Sequence, residues 1–389
     1  MFEGDRSKFP EIKDGRPVID LDSQKFIKVW QGPQHPGVTE NIALELTVSG
    51  DEVVELKTHV GYLHRGFEKL LERRTFIQGF TIVCRICVPE PDTNEYLYAA
   101  ALEELGNIEI PEKALWLRTL TLEMSRLASF LMWIGGQAGS FGMGTIGQWS
   151  VAHRDFILDL FEELSGGRIY HMYIIPGGVR GDIPPGFVSR LKKVLRKIDV
   201  LLEDIDKVLF NNILFKKRAV GLGVITKEMI DKFGVTGPAA KAAGYDRDLR
   251  KDLPYLIYNK LDFDVITGSD SDAFTRAKVR FAEMHQSVEL IRQIIARMPE
   301  KGEFHTKLPN VLHWRIKPGE TWVQAEASRG EYGYYIVTDG SAYPRRIAVR
   351  GPSYSNAISL LQKLAVNTNI ADIAGLMVSL HTCPPEIER

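Results

Sequence analysis

Cysteine is scarce in this chain: Cys84, Cys87 and Cys383 are the only three in 389 residues. Three thiols cannot build a disulfide scaffold, and such sparing use suits a reducing compartment. Neither sign of charge dominates, since 49 basic residues face 50 acidic ones. Without a basic excess there is no global field to hold nucleic acid or an anionic membrane surface, so nucleic acid is not an expected partner. The polar stretch 1–20 has no apolar core of the kind a signal peptide needs. One long stretch lacks charge, Leu127 to Ala152, but it carries Gly135, Gly136, Gly139, Gly142, Gly144 and Gly147 beside Gln137 and Gln148. Glycines and amides at that density make a poor bilayer helix, so the stretch reads as a buried helix followed by a glycine-rich turn. P-loop and GxGxxG patterns are missing, and "GSDSDAF" (268–274) lacks the glutamate and spacing of a calcium loop.

What is present reads as a globular α+β chain. Hydrophobic residues at 44% and charged ones at 25% exclude a disordered or low-complexity protein. "NIALELTVSG" and "DEVVELKTHV" alternate with period two around Ser49-Gly50, which predicts a β-hairpin. Helical spacing follows in "RGFEKLLERRTFIQGFTIVC", in 94–105 and in 111–134, where Pro111 suits a first turn. Further helices are expected over 154–164, 188–212 and 275–297, and again over 353–379. Between the last two, 321–350 turns β-like around Asp339-Gly340. The expected organisation is a β-rich part over 1–60, an α-helical core over 61–310, a β-rich part over 311–350, and a C-terminal helix and tail over 351–389. The fold class is α+β: a mostly helical bundle core with a small β domain built from the N- and C-terminal parts.

Chemistry has few places to sit. Cys84 and Cys87 form a CxxC, but a zinc or iron–sulfur site of the usual kind needs a second pair. A sharper pattern pairs Cys87 with Glu90 and Cys383 with Glu386, each C-x-x-E. Together they could bind a metal, though the mixed set favours none; equally, the cysteines could be small buried apolar residues. Gly-rich turns at 31–37, 59–69 (with His64), 175–186 and 326–335 (with Arg329) could place charge in a cleft, though each alone reads equally as a structural turn.

These segments jointly resemble one family, the large subunit shared by respiratory complex I (its quinone-site subunit) and the NiFe hydrogenases. The resemblance runs from Gly32 to Arg389 and rests on "GPQHPG", "GYLHRGFEKLLERRT", "ELSGGRIYHMYIIPGGVRGDIPPG", "AAGYDRDLRKDLPY", "VRFAEMHQSVELIRQII" and "EASRGEYGYYIVTDGSAYPRRIAVRGPSY". It implies a NiFe-hydrogenase large-subunit-like fold. The ending "IER" is similar to the family's own, which implies no processing tail.

The sequence departs from both of the family's active sites. Hydrogenases hold nickel and iron with two CxxC motifs. Here "RICVPE" keeps Arg85 and Cys87 but has Glu90 for the second cysteine, and "TCPPEIER" keeps Cys383 but has Glu386 for its partner. Hard carboxylates replace soft thiolates poorly, so no NiFe centre is expected. The resemblance places a quinone-binding His at Thr39 and a quinone-binding Tyr at Val88, and Phe130 stands for another His, so quinone reduction is not expected either.

A third branch remains: archaeal membrane complexes that take electrons from ferredoxin, reduce polysulfide and pump ions. Resemblance to that branch implies a ferredoxin-linked oxidoreductase subunit acting only within its complex. It implies no cofactor on this chain, a [4Fe–4S] cluster in an adjacent iron–sulfur small subunit, complex I-like membrane subunits as partners, ferredoxin as donor and polysulfide as substrate. The location implied is the cytoplasmic face of the cell membrane, as a peripheral subunit. Cys84, Cys87 and Cys383 are the expected thiols, Arg85 and Arg329 the cations, and Glu90, Glu386 and His64 the proton relays. The competing expectations are a complex I-type quinone oxidoreductase subunit and a vestigial coupling subunit without its own chemistry.

Overall fold

The computed structural model describes residues 12–13, 16–17, 26–35, 41–308 and 314–389. Thr39 lies outside the described residues. A short ladder, β1 (Ile12–Lys13) with β2 (Arg16–Pro17), precedes a three-stranded antiparallel sheet of β3 (Ile27–Gln31), β4 (Ala43–Ser49) and β5 (Glu52–His59) in that order. The β4–β5 hairpin is the expected one: Ser49 faces Glu52 across the Gly50 turn, whose φ of 64° glycine accepts without strain. The inward residues Leu44, Leu46 and Leu56 are buried.

Helices α1 (Phe67–Leu71), α2 (Phe76–Val83), α3 (Pro91–Gly106), α4 (Glu112–Ser140) and α5 (Gly144–Ser165) follow. The uncharged stretch differs from its expected form. It is helical on both sides of a short turn at 141–143, because Gly135 of α4 packs against Gly147 of α5 and a Cβ on Gly147 would stand 3.1 Å from the Gly135 carbonyl. The glycines serve close helix contact rather than a turn, and that extends α5 ten residues earlier than the expected helix.

Next come the β6 (Ile174–Ile175) and β7 (Gly178–Val179) ladder, the long amphipathic α6 (Phe187–Ile205), and the short α7 (Ile213–Ala219), α8 (Lys227–Phe233), α9 (Pro238–Lys241) and α10 (Leu249–Asp252). The second long core helix is α11 (Ala273–Arg297), capped by Asp272. A second three-stranded antiparallel sheet holds β8 (Gly319–Ala327), β9 (Gly330–Thr338) and β10 (Arg346–Arg350). Its tight turn falls at Ser328-Arg329, while Asp339-Gly340 lies in the longer β9–β10 connection. The C-terminal region is broken into α12 (Leu361–Leu364), α13 (Ile373–Leu380) and α14 (Pro384–Ile387) rather than one run.

The β structure from the two ends thus forms two sheets, one in each of two apolar clusters. The larger cluster packs β4 and β5 with α4, α6, α11 and α13. The other packs α2 and α3 against β8 and β9. Where α4 passes between the clusters, polar and charged side chains fill the seam: Glu123, Ser125, Arg126 and Ser129 are all buried. No helix among the described residues is long and apolar enough to cross a membrane.

Candidate active site

Three chain segments meet at this seam, and each is fixed by local chemistry. The first is the loop 84–90. It is held by a Thr75–Gln78 capping box that starts α2 and by Pro91 in the first turn of α3. The second is the C-terminal end. His381 takes a left-handed φ of 55° and stops α13; Pro384 and Pro385 then start α14. Cys383 therefore caps α14, and Glu386 follows one turn later on the same side. The third is the β8–β9 turn. Gly330 leaves no room for a Cβ beside Thr236, so Ser328 and Arg329 are pressed into the interior.

There Cys87 Sγ, Cys383 Sγ and a Glu386 carboxylate oxygen lie within 4.8 Å of one another, all buried. Arg329 Nη1 is 3.2 Å from Cys87 Sγ and 3.3 Å from Glu90 Oε2. Glu90 accepts from Ser328 N at 2.8 and 3.0 Å and from Ser328 Oγ at 2.6 Å. Its carboxylate is thereby an anchor for the turn that carries Arg329. Ser353 N donates to Glu386 Oε1 at 2.7 Å, and Cys383 N donates to Ser353 Oγ at 3.1 Å. Glu386 Oε2 has no hydrogen-bond partner among the described residues.

The electrostatics set the two thiols apart. Burial pushes Cys87 well above the usual thiol range, and its hydrogen bond to Cys383 adds to that. Cys383 is lowered, first by accepting that hydrogen bond and then by Arg329, against the cost of burial. The proton is thus held more tightly at Cys87, and Cys383 is the sulfur of the pair that ionises more readily, with the Arg329 cation against the pair. Burial works against the Arg329 charge, but Cys87, Cys383, Glu90 and Glu386 outweigh it and hold the guanidinium charged. Burial raises Glu386, which favours its protonated form beside the thiol pair.

A cavity of about 280 Å³ opens onto this cluster, with Cys383, Arg329, His381 and Ser129 as polar lining and Val88, Met132, Trp133 and Val378 as apolar lining. Cys383 reaches the cavity, whereas Cys87 stands behind it. Val88 offers no hydrogen bond there. Phe130 is buried 6.2 Å from the His381 ring, with the Arg126 guanidinium over its face at 5.1 Å.

Of the expected site residues, Cys87, Cys383, Glu386, Glu90 and Arg329 converge. Cys84 and Arg85 do not join them. Arg85 bonds Cys84 Sγ at 3.2 Å and stacks on Tyr170, and burial pushes the Cys84 thiol up to about 12, an inert state. Cys84 is the C-cap of α2, and its thiol bonds the Thr81 carbonyl and Arg85. His64 sits on the surface, where Nδ1 bonds the Glu388 carbonyl and so clamps the C-terminal end. His381 is absent from the expected set, although it stands two residues before Cys383. It is buried between Phe130 and Trp133, and burial with nearby Arg329, Arg280 and Arg126 keeps it neutral.

The donor set does not fit a NiFe centre. Glu90 is committed to Ser328 and Arg329, which leaves two thiol sulfurs and one carboxylate converging. Those three could hold a single thiophilic cation, but the Arg329 guanidinium already supplies positive charge beside Cys87. Room for Glu386 depends on Gly351, where a Cβ would overlap the Glu386 carboxyl. Gly351→Ala is therefore expected to destabilise the chain by about 1–3 kcal/mol. It should also displace Glu386; a urea midpoint equal to wild type would contradict the tight fit.

Residues 140–389 match the family described as respiratory-chain NADH dehydrogenase, 49 Kd subunit. The chain is 40% identical over 365 residues to an NADH-quinone oxidoreductase subunit of Thermosipho melanesiensis, covering 93% of this chain and 99% of that one. It is 36% identical over 374 residues to an F(420)H(2) dehydrogenase subunit of Methanosarcina mazei, covering 95% and 99%. Among solved structures it is similar to a chain of the membrane-bound sulfane sulfur reductase, an archaeal respiratory membrane complex. That match has a TM-score of 0.92 and 40% identity, over 95% of this chain and 100% of that one. Coverage of this extent at both ends of the comparison shows that the chain belongs to the 49 kDa subunit family of the respiratory-chain NADH dehydrogenases.

Proposed function

We propose that this chain is the catalytic-module large subunit of a ferredoxin-dependent, ion-pumping respiratory complex that reduces sulfane sulfur. The carrying observation is Cys383: a thiol favoured as thiolate, facing a mostly apolar cavity, with Cys87 and Arg329 behind it. The similarity to the sulfane sulfur reductase chain supports the same reading. In this reading the Cys383 thiolate attacks an internal sulfur of a polysulfide. The new bond is Cys383 S–S, and the broken S–S bond releases a shortened polysulfide anion. Two electrons and one proton then cleave the Cys383 S–S bond, giving back the thiolate and releasing the bound sulfur chain as a hydropolysulfide anion, which successive turns shorten to HS⁻. Arg329 steadies the anions, and protonated Glu386 is placed to give the proton.

The electrons come from reduced ferredoxin through a [4Fe–4S] cluster of an adjacent small subunit. Exposed apolar side chains support a partner on this side. Met132 lines the cavity mouth, and Trp149 and Val151 on neighbouring α5 are 40% and 51% exposed on a stretch without charge. Complex I-like membrane subunits would hold this chain as a peripheral subunit on the cytoplasmic face.

The test is the purified intact complex with reduced ferredoxin, assayed in parallel for sulfide from polysulfide, hydrogen evolution and quinone reduction. Sulfide without hydrogen is the expected result. Hydrogen evolution would overturn the argument from the donor set. Quinone reduction alone would return the chain to the chemistry named for its curated relatives.

A further inference from the structure

Behind the cavity, a second group of charged side chains is buried that the thiol steps above do not use. It gathers residues from five elements. Arg126 and Glu123 come from α4, Lys241 from α9, Asp248 and Arg250 from the start of α10, Glu283 from α11, and Glu326 from β8. Lys241 Nζ donates to Asp248 at 2.7 Å and Glu283 at 2.8 Å. Arg126 Nη2 donates to Glu283 Oε2 at 2.8 Å. Arg250 bonds both Asp248 oxygens at 3.0 and 2.8 Å and Glu123 at 3.1 Å. Tyr258 and Ser287 complete Glu123, each at 2.7 Å.

Counting these groups gives four carboxylates against three cations, so the fully ionised cluster carries one unbalanced negative charge in a dry interior. Such a charge costs several kcal/mol unless a proton cancels it. Of the neighbours, Arg280 bears electrostatically on Glu283 while it bonds the Ser379 carbonyl and lies over the Trp133 ring, and no bond joins it to Glu326 among the described residues; Glu331, across the ladder from Glu326, is paired with Arg247. Tyr255 and Tyr96, stacked beside β8, are neutral phenols raised by burial.

The carboxylates are not equally served. Glu123, Asp248 and Glu283 each accept charged or hydroxyl donors on both oxygens. Among the described residues the Glu326 carboxylate accepts one hydrogen bond, from Leu249 N at 3.2 Å on Oε2. Its Oε1 stands 3.4 Å from Lys241 Nζ with no hydrogen-bond partner among the described residues. The proton therefore belongs on Glu326.

We propose that this cluster is a proton-binding site in which Glu326 takes up and releases the proton, and that it does so in answer to charge arriving at the thiol pair. Glu326 lies two residues before Ser328, which clamps Glu90, and three before Arg329, which touches Cys87. Arg126 joins the two regions from α4, bonding Glu283 and lying over Phe130 beside His381. Burial, set against Lys241, Arg126 and Arg250, places the Glu326 carboxyl at about 7, near the working pH. The use made of the proton rests on the reductase reading; the proton site itself does not.

The test compares the full chain with Glu326→Gln, which keeps the shape of the protonated acid and cannot titrate. A carboxyl raised in the folded state gives stability that is complete below its unfolded value near 4.5 and is lost as pH rises to about 7. The wild-type thermal midpoint should thus fall relative to the variant across that window, by on the order of 5 °C. A pH-independent difference would overturn the proposal. Should the variant fail to fold, infrared titration of the full chain decides. Glu95 and Glu386, also raised by burial, add bands of their own, so the expected result is a protonated-carboxyl band at about pH 6, gone by about pH 9, that survives Glu95→Gln and Glu386→Gln together; its absence overturns the proposal. In the intact complex, wild-type turnover should decline above about pH 7 and Glu326→Gln turnover should not; parallel profiles would remove the coupling to the thiol pair. A complex that makes no sulfide would sink the reductase reading, while the midpoint comparison still tests the proton site.

Discussion

Cys383→Ser in the intact complex is expected to lower sulfide production at least about a hundredfold, a barrier increase of roughly 3 kcal/mol. A serine hydroxyl is not ionised near neutral pH and is a weak nucleophile towards sulfur, so the position in the cavity would be kept while the attacking group is lost. Cys87→Ala should cost less and should leave a diagnostic trace. The Cys87 thiol hydrogen bond is the first cause of the lowered Cys383 ionisation. Removing that bond raises Cys383, so less thiolate exists at a given pH and the acid limb of the pH–rate profile moves to higher pH. Cys84→Ser should leave turnover near wild type, because the Cys84 thiol bonds Arg85 and the Thr81 carbonyl. Measuring sulfide release for the three variants across pH separates these roles. Full turnover in Cys383→Ser would rule out the thiolate and leave the chemistry to the partner cluster or to a vestigial cleft.

The difference between Cys84 and Cys87 shows where a sequence stops informing. The C-x-x-E spacing at 87–90 and 383–386 is visible in the letters, and both motifs do reach one seam together with Arg329 of "EASRGE". Their equal spacing conceals unequal positions: Glu386 faces the thiols, while Glu90 is occupied by Ser328. The direction of each side chain depends on whether its residue caps a helix or follows one. Pattern also serves where contacts are local, as in the β4–β5 hairpin and α11. It misreads the glycines of α4 and α5, because a helix–helix contact and a turn select glycine for different reasons and leave the same letters. His381 gives no signal beyond its nearness to Cys383, since its role depends on a left-handed backbone and on rings from α4. The buried charge cluster is the least legible of all. Its charged members lie 2 to 157 residues apart along the pairs they form, and each alone reads as a surface charge.

That cluster carries the largest stability prediction. Lys241→Met is expected to destabilise the full chain by about 3–5 kcal/mol, because removing one partner of a buried ion network leaves the others charged and unpaired. Lys241 is fully buried, and among the described residues its ammonium meets three carboxylates, Asp248, Glu283 and Glu326. Methionine fills similar space, so cavity formation contributes little and the change isolates charge. The pH dependence gives the sign. Asp248 and Glu283 are held below the usual carboxylate range against burial, by Arg250 and Lys241 and by Lys241 and Arg126 respectively. Groups lowered in the folded state give stability that is present above their unfolded values and is lost as pH falls through the folded ones. The gap between wild type and Lys241→Met should therefore be widest at neutral pH and close in acid. Adding Glu326→Gln to Lys241→Met removes one of the stranded carboxylates and should recover a measurable part of the loss. Urea denaturation of the single and double variants at neutral and acid pH checks each step. A Lys241→Met loss below about 1 kcal/mol at neutral pH would mean that the carboxylates share protons among themselves and that the lysine is not what holds them ionised.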